Sequence, residues 1–173
     1  LEWCMEQKPD IISFSIGTNA TSTGFCDVNL VTSMCNNATE QGIFVLASSG
    51  NYVEKNLSAP ACGSKVFSVG STNDSDNISS FSNVNPTLDL FSPGENITTI
   101  AGNGTGTSFS APHVAGAVAL LLEHEDLDVS SLKYRLRSTG RPVSHDYNDT
   151  LSVDIGRLDV YNALSNIKTM EPY

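Results

Sequence analysis

The chain has 173 residues, 18.4 kDa and 39% hydrophobic side chains, enough for one cored domain and too little for two. Charged residues are 16% of it, against about 25% in an average soluble protein, and 23 Ser, 14 Thr and 15 Asn supply the polarity instead. A net charge of −10 argues against a nucleic-acid or anionic-membrane partner, which needs a basic face, and no run approaches the roughly 20 apolar residues of a membrane span.

Residues 1–8 read as the end of a helix that Pro9 stops. Residues 11–16 (IISFSI) are β-branched and apolar and precede Gly17, the pattern of a buried strand. Asp27 is placed to cap a helix running to Gln41, with Val28, Val31, Met34, Cys35 and Ala38 on its inner face. Residues 43–48 (IFVLAS) and 65–70 (KVFSVG) read as two further buried strands. Apolar strands alternating with a helix imply a parallel sheet covered on both faces. Residues 73–104 are turn-rich, with short strand-like pieces at 89–91 and 98–101. From Ser108 to about Glu123 apolar residues occupy nearly every side, so this helix belongs in the middle of a core. A shorter amphipathic helix begins near Asp128 and ends before Gly140, and a last helical turn or two falls within 158–167.

Cys4, Cys26, Cys35 and Cys62 form no CxxC pair, which argues against a zinc or thioredoxin-like motif. Eight N-x-[ST] sequons start at Asn19, Asn37, Asn56, Asn73, Asn77, Asn96, Asn103 and Asn148. With the even cysteine count they suit a secreted or cell-surface location.

The stretch that carries chemistry is Gly104–Gly116, GTGTSFSAPHVAG. Gly106-Thr107-Ser108 sets a hydroxyl where a Gly-flexed loop enters a helix. The unpaired N–H groups there, and the positive end of the helix dipole, face any developing anion. A serine at that junction has half an oxyanion site beneath its own nucleophilic oxygen. Pro112 is read as lying in the first turn, where a missing N–H costs nothing.

This segment closely resembles the active-serine motif of the subtilisin-like serine peptidases, G-T-S-x-[AS]-x-P-H-V-x-G. The resemblance implies that Ser108 is the nucleophile and that Asn51, in Ala47-Ser48-Ser49-Gly50-Asn51, is the oxyanion-hole asparagine. It implies that Ser15-Ile16-Gly17-Thr18 is the strand that pairs with substrate and walls the S1 pocket. Ser48, Ser49, Gly50, Ser58 and Thr107 complete the implied substrate-binding set. The implied fold is α/β, a three-layer doubly wound, mostly parallel sheet with helices on both faces. The implied activity is that of an endopeptidase acting on peptides or proteins through an acyl-enzyme. Cys26 and Cys62 flank regions that would border S1, which suggests a disulfide between them, with Cys4 and Cys35 either paired or buried. No cofactor is required; relatives often bind structural calcium, but the Asn73–Asn77 run lacks a fixed ligand spacing and is read as a solvated loop. Asn85 departs from the pattern by standing where relatives often have glycine.

The family's aspartate and histidine motifs, D-[ST]-G and H-G-T, are absent. They precede the serine in chain order. Residues 1–173, which start with Leu, are therefore expected to be the C-terminal portion of a single peptidase domain, nearly inactive without the rest. His113 lies five residues beyond Ser108 on the same helix and is expected to be a buried, hydrogen-bonded structural residue rather than the base. The small, neutral S1 set predicts a broad preference for neutral or apolar P1 residues, with Glu54 the one acidic side chain able to swing in. Two other readings are a peptide-binding relative that has lost catalysis and a sedolisin-type peptidase, the latter opposed by Asn51 and Pro112-His113.

Overall fold

The computed structural model describes residues 1–18, 21–147 and 151–170, so the sequons at Asn19 and Asn148 lie outside the described residues. In chain order the elements are α1 (Glu2–Glu6), β1 (Ile11–Phe14), β2 (Thr21–Ser22), α2 (Leu30–Glu40), β3 (Phe44–Ser48), β4 (Leu57–Ser58) and β5 (Phe67–Thr72). They continue with β6 (Leu90–Pro93), β7 (Ile97–Thr99), β8 (Gly102–Gly104), α3 (Thr107–His124), α4 (Val129–Thr139), β9 (Arg141–Tyr147), β10 (Leu151–Arg157) and α5 (Val160–Ser165).

Six strands form one sheet in the order β1-β3-β5-β6-β10-β9, parallel throughout except for the antiparallel β9–β10 pair. Two-stranded ribbons pair β2 with β4 and β7 with β8. The apolar strands are buried on both faces, as parallel strands between helices must be. Side chains alternate along β3: Val45 and Ala47 join Cys35 and Ala38 of α2, while Phe44 and Leu46 join α3, α4 and α5. The α/β three-layer architecture is the one the strand-helix-strand pattern implied. Phe44 and Phe67 stack 5.3 Å apart at the base of the second layer.

Two helix expectations change. The helix expected from Asp27 starts at Leu30, because Asn29 is the residue whose Oδ1 accepts from the N–H groups of Val31 and Thr32. Asp27 instead accepts from Ser64 N–H and Asn36 Nδ2, both at 2.8 Å, and those bonds hold its carboxyl below the ordinary value. Val28 is consequently outside the helix and fully exposed. α3 is not wrapped on all sides: Val114, Ala117, Val118 and Leu121 are buried, whereas Pro112, His113, Gly116 and Leu120 form an exposed stripe.

Side chains tie two of the loops. Asn85 is fully buried and uses the side chain that a glycine would lack. Its Oδ1 accepts from Thr87, and its Nδ2 donates to the carbonyls of Ser22 and Thr23, tying two loops together. The Asn73–Asn77 run does not fit a calcium site. Its Asp76 carboxylate is paired with Arg141 at 3.0 Å and Arg157 at 2.9 Å, and Asn73 Oδ1 accepts from Ser75 and Asn77 N–H. Among the described residues no group of three or more His, Cys, Asp or Glu is placed to hold a metal ion.

Candidate active site

The loop Gly104–Gly106 delivers Thr107 and Ser108 to the first turn of the 18-residue helix α3. Gly106 has φ +148°, and a Cβ on it would stand 3.2 Å from Asn51 Nδ2, so glycine keeps the asparagine beside the helix start. Asn51 Oδ1 accepts from both Thr107 N–H and Thr107 Oγ–H at 2.9 Å. Those two bonds fix which end of the amide is which. The Nδ2 end carries the donors, on the side of Gly106. Thr107 is itself buried and also receives Gly50 N–H at 3.3 Å, so strand β3 and helix α3 are joined through one hydroxyl.

Pro112 lies beyond the first turn of the helix, four residues after Ser108, so the Ser108 carbonyl has no helical N–H to accept from. Ser15 takes that place: its Oγ–H donates to Ser108 C=O at 2.9 Å, and Ser108 Oγ–H donates back to Ser15 C=O at 3.1 Å. The residue that follows strand β1 thus sets the position of the helix start from the other side. His113 is hydrogen-bonded as expected, Nδ1 to the Phe109 carbonyl at 2.8 Å, but it is exposed rather than buried, because it sits on the open stripe of α3.

A pocket of about 230 Å³ opens beside Ser108 and Asn51. Of the substrate-binding set, Ser15, Gly17, Ser48, Gly50, Ser58 and Thr107 line it. Ile16 and Ser49 do not: Ile16 is 74% exposed, and Ser49 alternates to the opposite side of the chain from Ser48 and is buried. Thr18, the end of the expected Ser15–Thr18 wall, lines it too, and Tyr52 lines it without having been singled out from sequence. The signal for Tyr52 was its place immediately after Asn51, which puts it on the pocket rim. Glu54 lines a separate pocket with Val53, Ile78 and Val84.

Cys26 and Cys62 are disulfide-bonded, Cα to Cα 5.4 Å, in the segments that flank β4 and the pocket wall. Cys4 and Cys35 are free thiols, and burial pushes the Cys35 thiol up to about 11. No helix among the described residues is long and apolar enough to cross a membrane.

Comparison with known proteins gives the same picture. The model of the subtilase family matches residues 1–155. The chain is 38% identical over 136 residues to the major intracellular serine protease of Bacillus subtilis, covering 73% of this chain and 41% of that protein. It is 34% identical over 153 residues to subtilisin-like protease 1 of Trichophyton equinum, covering 81% of this chain and 29% of that protein. Among solved structures, the prenylagaramide maturation protease PagA superposes with a TM-score of 0.77 at 27% identity, covering 95% of this chain and 64% of that one. The chain therefore spans less than half the length of these two sequence relatives. It is a member of the subtilase family.

Proposed function

We propose that the intact protein is a serine endopeptidase in which Ser108 is the nucleophile. Ser108 Oγ attacks the scissile carbonyl carbon, and its proton passes to a histidine base. The carbonyl oxygen becomes an oxyanion held by Asn51 Nδ2–H and Ser108 N–H. Collapse of that intermediate expels the amine, which takes the proton from the histidine, and leaves an acyl group on Ser108. Water then repeats the sequence and frees the acid.

The observation that carries this reading is the pair of hydrogen bonds from Thr107 to Asn51 Oδ1, which presents the amide donors beside the start of α3 before any substrate arrives. Preorganised donors of this kind act without reorganisation cost at the moment of reaction. The base and its aspartate are supplied by sequence upstream of Leu1. His113 is not taken as the base: it sits on the exposed stripe of α3, and Ser108 Oγ–H donates to Ser15 C=O rather than to its ring. Residues 1–173 alone are accordingly nearly inert, because a serine hydroxyl is a poor nucleophile until its proton is removed. A secreted or surface-bound location belongs to the same reading, supported by the Cys26–Cys62 disulfide and by exposed sequons at Asn37, Asn77, Asn96 and Asn103.

The test is hydrolysis of a quenched peptide by the full-length protein and by its Ser108→Ala variant. Turnover lost on substitution, with the fold retained by circular dichroism, supports the reading. Undiminished turnover contradicts it.

A further inference from the structure

Side chains from outside α3 hold the chain on both sides of the Ser108 Cα. On the N-terminal side Thr107 is bonded through its N–H and its Oγ–H to Asn51 Oδ1. On the C-terminal side the Ser108 carbonyl accepts from Ser15 Oγ–H at 2.9 Å. The regular helical donor to that carbonyl would be the N–H four residues on, and Pro112 stands there. A proline lacks the N–H and also crowds the carbonyl four residues back, so the helix itself cannot hold this peptide unit in the usual way. A second bond runs in the opposite sense, from Ser108 Oγ–H to Ser15 C=O at 3.1 Å. The two bonds differ in what the reaction does to them. Ser108 Oγ must surrender its proton in order to attack, so its bond to Ser15 C=O has to break. The bond from Ser15 Oγ–H is made to the main chain of Ser108 and survives that step.

Resting on the peptidase reading above, we propose that the Ser15 side chain is a positioning residue for acylation: its hydroxyl replaces the donor that Pro112 removes and so fixes the aim of Ser108 Oγ and Ser108 N–H. Peptide units are rigid, so Ser108 turns only about its own φ and ψ. Asn51 restrains the chain before those two rotations, through Thr107, and Ser15 restrains it after them. Without the Ser15 hydroxyl the carbonyl is free to turn, and the nucleophile and one oxyanion donor turn with it. Ser15 lines the pocket, but its Oγ is committed to Ser108. A backbone-paired substrate would use the main chain of residues 15–18, which a change at Oγ leaves in place. The loss therefore falls on kcat, as it does when an interaction that matters only in the transition state is removed.

The experiment is a double-mutant cycle on the full-length protein, Ser15→Ala against Pro112→Ala, read as kcat and KM on one quenched peptide. Ser15→Ala is expected to lower kcat about tenfold with KM within about twofold of wild type, a modest case of the loss that misplaced reacting atoms cause. Pro112→Ala supplies an N–H to Ser108 C=O from within the helix, so in that background Ser15→Ala should cost no more than about twofold in kcat. Ser15→Thr, which keeps the hydroxyl, should recover most of the activity. Unchanged kcat in Ser15→Ala, a loss carried by KM, or the same kcat loss in both backgrounds overturns the proposal. Should Ser15→Ala not fold, Ser15→Thr against Ser15→Val compares one shape with and without the hydroxyl, and equal kcat in the two overturns it. A wild-type protein that neither labels with a fluorophosphonate nor cleaves any peptide is a different outcome: it overturns the peptidase reading, and the positioning role falls with it.

Discussion

Asn51 and Ser15 hold the start of α3 from two sides, and neither is a base or a nucleophile. Asn51 is locked through Oδ1 by Thr107, and Ser15 supplies the hydrogen bond that Pro112 withholds from Ser108 C=O. Removing one oxyanion donor costs about 10²–10³ in kcat, a magnitude measured on subtilisin itself. Asn51→Ala in the full-length protein is expected to lower kcat by about that factor with KM little changed. A fall confined to KM in steady-state kinetics would place Asn51 in ground-state binding instead. Cys35 gives a second residue-level expectation. Fully buried, with its thiol pushed up to about 11, it stays protonated across neutral and mildly alkaline pH. An unfolded thiol ionises near pH 8.5, so this burial lets stability drain away as pH climbs past that value. Iodoacetamide at pH 8.5 should modify Cys35 only after denaturant is added, and mass spectrometry showing native alkylation contradicts this.

At the scale of elements, the sheet packs two unequal faces, and α3 dominates one of them. Leu121 is 1% exposed among Phe44, Leu46 and Val69. Leu121→Ala removes buried methyl groups and leaves a cavity, and urea denaturation should register a loss of about 2–5 kcal/mol. A loss under 1 kcal/mol would mean that this face is not packed as described. Strands β3 and β5 and helix α3 were legible in the sequence because long apolar runs leave few alternatives. The start of α2 was not, since Asp27 and Asn29 are chemically equal cap candidates and only the distant Ser64 decides between them. The β9–β10 hairpin was hidden because its pairing, Arg141 with Arg157, depends on a ladder and not on an apolar run. In the site, the Gly-Thr-Ser motif and Asn51 were readable from chain order. Ser48 and Ser49 were not separable until strand alternation put one in the pocket and the other behind it.

At the scale of the molecule, two hydrophobic layers lie on a sheet whose β1 edge is paired only with β3. The chain leaving β1 reaches Ser108 through Ser15, and on the proposed reading an upstream portion carrying the histidine would have to reach the same residue. The Cys26–Cys62 bond, 36 residues apart in sequence, braces the pocket wall. By loop-closure entropy a cross-link of that span contributes about 4 kcal/mol. Reduction under native buffer is expected to shift the urea midpoint down accordingly, and an unchanged midpoint contradicts a bracing role. The central claim is that Ser108 is a nucleophile made reactive by groups outside residues 1–173. Its most direct test is fluorophosphonate labelling of the full-length protein beside the isolated chain, with the modified peptide sequenced. Stoichiometric adduct on Ser108 in the full-length protein, and almost none in residues 1–173, is the predicted result. No adduct on Ser108 in the full-length protein, or equally fast labelling of both, would contradict it.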